Sequence, residues 1–168
     1  MKRFVLCIAF AIALCGVVAA QDQGAVTAPA EMKFGPLPNI PPCLQGAILR
    51  GDPAKTGITA QLKGTAGCRV PWHWHTAVEQ LGMVSGNARL EIKGTPARTI
   101  GPGAYAYMPA KHQHDFTCVT ACVLFIGSDG PFDVHYVDAS GKEITPEAAP
   151  KSGAKMGAAK AATKAPAK

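Results

Sequence analysis

The stretch GCRVPWHWHTAVEQLGMVSG, residues 67–86, decides how the chain is read. His73 and His75 are separated by one residue. Side chains on a strand alternate between faces, so both imidazoles fall on one face and Trp72 and Trp74 on the other. Glu79 follows four residues after His75, across an expected bend or bulge. His114 comes much later, after a turn at Gly101-Pro102-Gly103 and the strand-like AYAYM. An antiparallel arrangement brings its strand opposite the first pair. Three neutral ring nitrogens and a carboxylate suit one divalent transition metal ion, namely Mn, Fe, Co, Ni, Cu or Zn. Such a donor set leaves room for water or a substrate on the ion, where it acts as a Lewis acid or lowers the pKa of bound water.

Outward from this stretch the chain consists of short apolar segments punctuated by turns. GAILR, the turn Gly51-Asp52-Pro53 and GITAQLK read as strand, turn, strand. QLGMV leads into Ser85-Gly86-Asn87, and ARLEIK alternates polar and apolar positions. AYAYM, CVLFIG and FDVHYV are further strand candidates, and no body segment holds a helical period for three turns. Short strands with Gly and Pro between them indicate an all-β sandwich or small barrel.

With these residues in view, Gly67-x5-His73-x-His75-x3-Glu79-x6-Gly86 resembles the complete first motif of the cupin superfamily. Gly103-x5-Pro109-x-Lys111-x2-His114 resembles the second. The resemblance implies a double-stranded β-helix, or jelly-roll barrel. It also implies a metal held by His73, His75, Glu79 and His114. Gly86 and Gly103 would be turn glycines. Two positions depart from the pattern. Lys111 stands where the family has a glycine, which a lysine can replace at negative φ, and Cys118 stands where the family has an asparagine. The flanks, Gly46-Ala47 with Gly51-Asp52-Pro53 and Gly130-Pro131-Phe132-Asp133 with Tyr136-Val137, look like small exported bacterial cupins and the cupin half of zinc-containing anti-sigma factors.

The termini carry other signals. Met1-Lys2-Arg3, an uncharged apolar run over 4–18 and Val18-Ala19-Ala20 form a secretory signal-peptide pattern over 1–20, with cleavage after Ala20. A retained anchor is disfavoured because a spanning helix needs about 20 apolar residues. Lipidation of Cys15 is disfavoured because Leu14 is not small. The protein is therefore expected in the periplasm or outside the cell, without a transmembrane segment in its mature form. Residues 21–34 read as a flexible leader, 35–150 as the barrel domain and 151–168 as a disordered Ala/Lys tail. Within the domain, 35–43 holds four prolines and should be extended.

The formal charge of +6 sits largely at the ends. Residues 21–150 carry ten basic and eleven acidic side chains, so the body lacks the clustered Lys and Arg of a nucleic-acid footprint. Four cysteines follow the signal: Cys43, Cys68, Cys118 and Cys122. Export favours bridges over a metal reading of Cys118-x3-Cys122, and four cysteines allow three pairings. A tight turn at 119–121 favours Cys118–Cys122, which leaves Cys43–Cys68. The alternative is four reduced residues in the core.

Other residues stay open at this level. His112 could replace His114 as ligand if its strand starts earlier. His135 reads as an ordinary strand residue, and Trp72 and Trp74 as packing or homodimer contacts. Tyr105, Tyr107, Met83 and Phe116 are candidate cavity walls, and Arg69 and Gln80 are the polar candidates near the ligands. No catalytic acid or base can be named. The readings that follow are metal-dependent chemistry on a small molecule, a non-catalytic metal- or ligand-binding or sensing module, and a stable barrel with a vestigial site.

Overall fold

The computed structural model describes residues 24–151; the expected signal peptide (1–20) and the tail beyond Lys151 lie outside the described residues. A single 3-10 turn at Pro29–Glu31 precedes the strands. These are β1 (Gly35–Pro36), β2 (Leu44–Arg50), β3 (Thr59–Gly64), β4 (Arg69–Trp74), β5 (Glu79–Ser85) and β6 (Ala88–Ile92). There follow β7 (Arg98–Ile100), β8 (Tyr105–Met108), β9 (His114–Cys118), β10 (Cys122–Ser128), β11 (His135–Val137) and β12 (Glu143–Ile144). The expected all-β content is present. FDVHYV is extended only in its second half, where His135–Val137 pairs with β4. No helix among the described residues is long and apolar enough to cross a membrane.

The strands form two antiparallel sheets, ordered β1-β2-β3-β10-β5-β8 and β12-β11-β4-β9-β6-β7. This corrects the expected double-stranded β-helix barrel. Neither sheet is closed, and each runs from one edge strand to another, so the domain is an open two-sheet sandwich. The edges are too short to carry a hydrogen-bonded ladder around a corner. β1 and β12 have two residues each, β7 three and β8 four. The chain crosses between sheets through turns instead, as from β3 to β4, β5 to β6 and β9 to β10.

Apolar side chains from both sheets fill the space between them, among them Leu62, Leu81, Met83, Leu90, Phe116 and Leu124. Burial of a side chain of this size contributes about 1.5–3 kcal/mol. The expected turn glycines hold: Gly86 has φ +72° and Gly103 φ +83°. At Gly86 a Cβ would also collide with the Ala121 carbonyl, so the β5–β6 turn has room for glycine alone.

Both disulfides form as paired in the sequence reading. Cys118–Cys122 spans the 119–121 turn with Cα atoms 5.7 Å apart, closing the corner where the chain leaves β9 for β10. Cys43–Cys68, Cα atoms 5.6 Å apart, ties the proline-rich segment to the start of β4.

Candidate metal centre

The site begins with Pro71. Proline has no N–H to give to a ladder, and the pairing of β4 with β9 slips there: Val70 faces Phe116, but His73 faces His114. Three steps on β4 match two on β9, which is a bulge. Strict alternation from the inward Val70 would send His73 outward. The extra residue reverses the parity, so His73 turns inward and Trp72 and Trp74 lie on the outer side. β4 ends at Trp74, and the chain bends through Thr76–Val78 before Glu79 opens β5 in the other sheet. His73 and His114 thus come from one sheet, Glu79 from the other and His75 from the corner between them.

The ring nitrogens of His73, His75 and His114 lie within 4.8 Å of one another, and all three side chains are buried. The His73 and His114 ring centroids are 4.1 Å apart. Each Nδ1 faces a backbone carbonyl: His73 with Pro71 at 2.7 Å, His75 with Asp133 at 2.5 Å and His114 with His112 at 3.0 Å. A carbonyl can only accept, so each Nδ1 carries a proton, and in the neutral ring this leaves the lone pair on Nε2. Backbone geometry thereby selects the tautomer that a metal needs.

The Nε2 atoms of His75 and His114 lie 3.4 and 3.1 Å from Oε2 of the buried Glu79. The His75 Nε2 is sealed from solvent and has no hydrogen-bond partner. Lone pairs converging on a carboxylate repel one another unless a cation lies between them. Buried donors of this kind fit one divalent transition metal ion.

The electrostatics favour the coordinating forms of His73 and Glu79 and pull His75 toward its charged form. Burial, reinforced by His114 and His75, holds His73 well below the usual imidazole range, so it is neutral and ready to coordinate. For His75 burial again opposes the charged form, but the Glu79 carboxylate outweighs it and raises the value. Burial also pushes Glu79 upward, yet the facing histidines overcome this and hold it well below the usual carboxylate range.

The other candidates resolve individually. His112 is not in the cluster; its Nε2 lies 3.1 Å from the Lys93 carbonyl, and its own carbonyl orients His114. Of the possible walls, Phe116 lines the cavity, Met83 belongs to the core and Tyr105 and Tyr107 are exposed. Arg69 and Gln80 both face away from the site. Arg69 pairs with the buried Asp115 at 2.6 Å on the outer side of the sheet, and exposed Gln80 accepts a hydrogen bond from Tyr105. Trp74 stacks on His135 with centroids 3.9 Å apart.

The sequence reading missed two supporting residues. Asp133 gives its carbonyl to His75, and its carboxylate takes the Thr76 N–H at 2.8 Å and lies 3.1 Å from His135 Nε2. Phe132 stacks on the His75 ring at 4.6 Å. Neither role leaves a local pattern, because both residues reach the site from more than fifty positions away.

Around the donors lies a cavity of about 30 Å³. Its remaining wall is apolar, including Leu37, Ile40, Leu81, Phe116 and Phe132. A wall of this kind supplies no general acid or base beyond the donors, so the chemistry available is that of a metal and its bound ligand.

No protein-family model matches the chain. The chain is 37% identical over 49 residues to the dimethylsulfoniopropionate lyase DddQ of Ruegeria pomeroyi, a match covering 29% of this chain and 24% of the lyase. It thus spans about a quarter of that relative's length. The crystal structure of the same lyase superposes with a TM-score of 0.52 at 19% identity, over 60% of this chain and 57% of that one. An RmlC-like cupin from Ralstonia eutropha gives a TM-score of 0.59 at 18% identity, covering 73% and 78% of the two chains. An acetylacetone dioxygenase from Acinetobacter johnsonii gives 0.58 at 17% identity, covering 78% and 88%. At these identities the likeness is one of fold, and together with the two histidine motifs it assigns this chain the fold of the cupin superfamily.

Proposed function

We propose that the protein holds one divalent transition metal ion through Nε2 of His73, His75 and His114 and the carboxylate of Glu79, and uses it for chemistry on a small molecule. The observation that carries this reading is the convergence of three buried ring nitrogens, each ring fixed by a backbone carbonyl and two of the nitrogens within 3.4 Å of a buried carboxylate. When bound, the ion supplies Lewis acidity and a more acidic water. The chain's own residues orient the rings through their Nδ1 hydrogen bonds, bury the donors and hold His73 in its neutral form. DddQ is named as a lyase of dimethylsulfoniopropionate, and the Acinetobacter protein as a dioxygenase of acetylacetone. Both compounds are reasonable first substrates.

A second reading, a binding or sensing module without turnover, is favoured by the size of the cavity. At about 30 Å³ it is far below the roughly 300–1,000 Å³ of pockets that take organic ligands. We further propose that the protein is exported; its two disulfides support this, since such bridges persist in oxidising compartments.

Metal analysis of the purified protein tests the site. His75→Ala and His114→Ala should each lower metal content at least tenfold, and Glu79→Gln should lower it less because an amide oxygen still coordinates. Unchanged content in a folded His75→Ala variant sinks the proposal. Turnover of either compound that disappears in His75→Ala favours the enzyme over the sensor.

A further inference from the structure

The metal cavity has a neighbour. A groove of about 720 Å³ lies between the proline-rich segment and the chain after β12, with walls that include Pro41, Pro42, Pro71, Tyr136 and Pro146. Ile40 lines both spaces. Tyr136, in the groove wall, has its ring centroid 6.1 Å from that of the ligand His73. A half-buried isoleucine is therefore the partition between a space of about 30 Å³ and one large enough for an organic molecule.

The segment that carries Ile40 is built to be held at its ends. Pro38, Pro41 and Pro42 have no N–H, so 37–42 is not knitted into a sheet. On one side β1 pairs with β2 at Gly35 and Pro36. On the other the Cys43–Cys68 disulfide fastens the segment to the domain, beside a hydrogen bond from the Thr65 N–H to the Cys43 carbonyl at 3.2 Å. Between these points the Tyr136 hydroxyl donates to the Asn39 carbonyl at 2.6 Å. Burial pushes that phenol up to about 12, so the donor keeps its proton through the physiological range. Asn39 takes a left-handed φ of +58°, and this bend sets Ile40 toward the cavity.

We propose that Ile40 determines which molecules reach the metal: it is the stopper of a strap, residues 37–43, and only its displacement joins the groove to the metal cavity. This rests on the metal site proposed above. With the strap closed, the space beside the ion admits only small ligands. Larger ligands enter through the groove when Ile40 swings out, while the disulfide keeps the strap attached.

The test uses the Co(II)-loaded full-length protein and imidazole as the exogenous ligand, followed by the visible cobalt spectrum. Ile40→Ala should speed the imidazole-induced spectral change at least tenfold over the unsubstituted protein. Tyr136→Phe, which removes one oxygen and leaves the ring, should speed it several-fold; it carries the test if Ile40→Ala does not fold. Equal rates in the unsubstituted protein and a folded, cobalt-loaded variant overturn the strap and leave the metal site standing. Failure of the unsubstituted protein to take up cobalt overturns the metal site, and the strap with it.

Discussion

Lys111 shows how one residue can keep a turn while losing the side chain that suits it. Pro109 accepts the His112 N–H at 3.0 Å, and Lys111, the third residue of this turn, has φ +63°. The expectation of a negative φ was wrong. The backbone keeps the glycine conformation with a lysine in it, because the Lys111 N–H must reach the carbonyl of His75 at 2.8 Å. A left-handed conformation costs a non-glycine residue about 1–2 kcal/mol. Glycine would remove that strain but give the unfolded chain more freedom, by about 0.4–1 kcal/mol. Lys111→Gly should therefore stabilise the protein by up to about 1 kcal/mol, read as a higher denaturant midpoint at unchanged slope. A clear destabilisation would show that the lysine side chain contributes something the backbone argument omits. The four proposed donors, in contrast, were all legible from spacing and residue type.

At the scale of elements, β11 and the loop before it brace the corner that carries His75. Asp129 accepts the Val78 N–H at 2.9 Å and Asp133 accepts the Thr76 N–H, so the β4–β5 bend is gripped from both sides. His135 completes the brace, with Nδ1 2.8 Å from Glu143 Oε1, Nε2 3.1 Å from Asp133 Oδ2 and its ring stacked on Trp74. Partial burial works against charge on His135, but the hydrogen bonds to Glu143 and Asp133 outweigh it and raise its pKa above the ordinary value. A raised histidine stabilises the fold while it is protonated. That contribution is complete below the unfolded value of about 6.5 and is lost as pH rises through the higher folded value. In chelator-treated protein, the melting-temperature advantage of the unsubstituted chain over His135→Gln should shrink from pH 6 to pH 9. Taking the difference between the two proteins cancels the titration of His75. A constant difference would mean that His135 acts here by packing alone. The sequence showed His135 only as a strand residue, since Trp74, on which it stacks, meets it only through the pairing of β11 with β4.

At the scale of the whole molecule, the donors lie where the two open sheets face each other. His73 and His114 belong to one sheet, Glu79 to the other and His75 to the bend between. A metal held by all four would clasp the layers and would bind the folded state far better than the unfolded one. At a free metal concentration 100 times its Kd this adds about 2.7 kcal/mol. For a domain of this size that corresponds to a rise of roughly 10 °C in melting temperature. The rise should follow metal concentration, reverse on chelation and vanish in His75→Ala. A melting temperature that ignores metal would separate the cluster from any role in binding.

The amino-acid sequence by itself pointed to the strand-rich class, the proposed histidine and glutamate donors, the turn glycines at 86 and 103 and the Cys118–Cys122 bridge across a short turn. These are local matters, set by period-two alternation, by the few residues that tolerate positive φ and by turn length. Tertiary structure decided the rest. Whether the sheets close depends on how far the edge strands extend, and edges of two to four residues left them open. Which face His73 takes depends on a bulge at Pro71 that becomes visible only when β4 is laid against β9. Ile40 lines the metal cavity from a segment fastened by a disulfide and a tyrosine from distant parts of the chain. Each of these outcomes is a contact between segments far apart in the chain, and the spacing of neighbouring residues holds no record of such contacts.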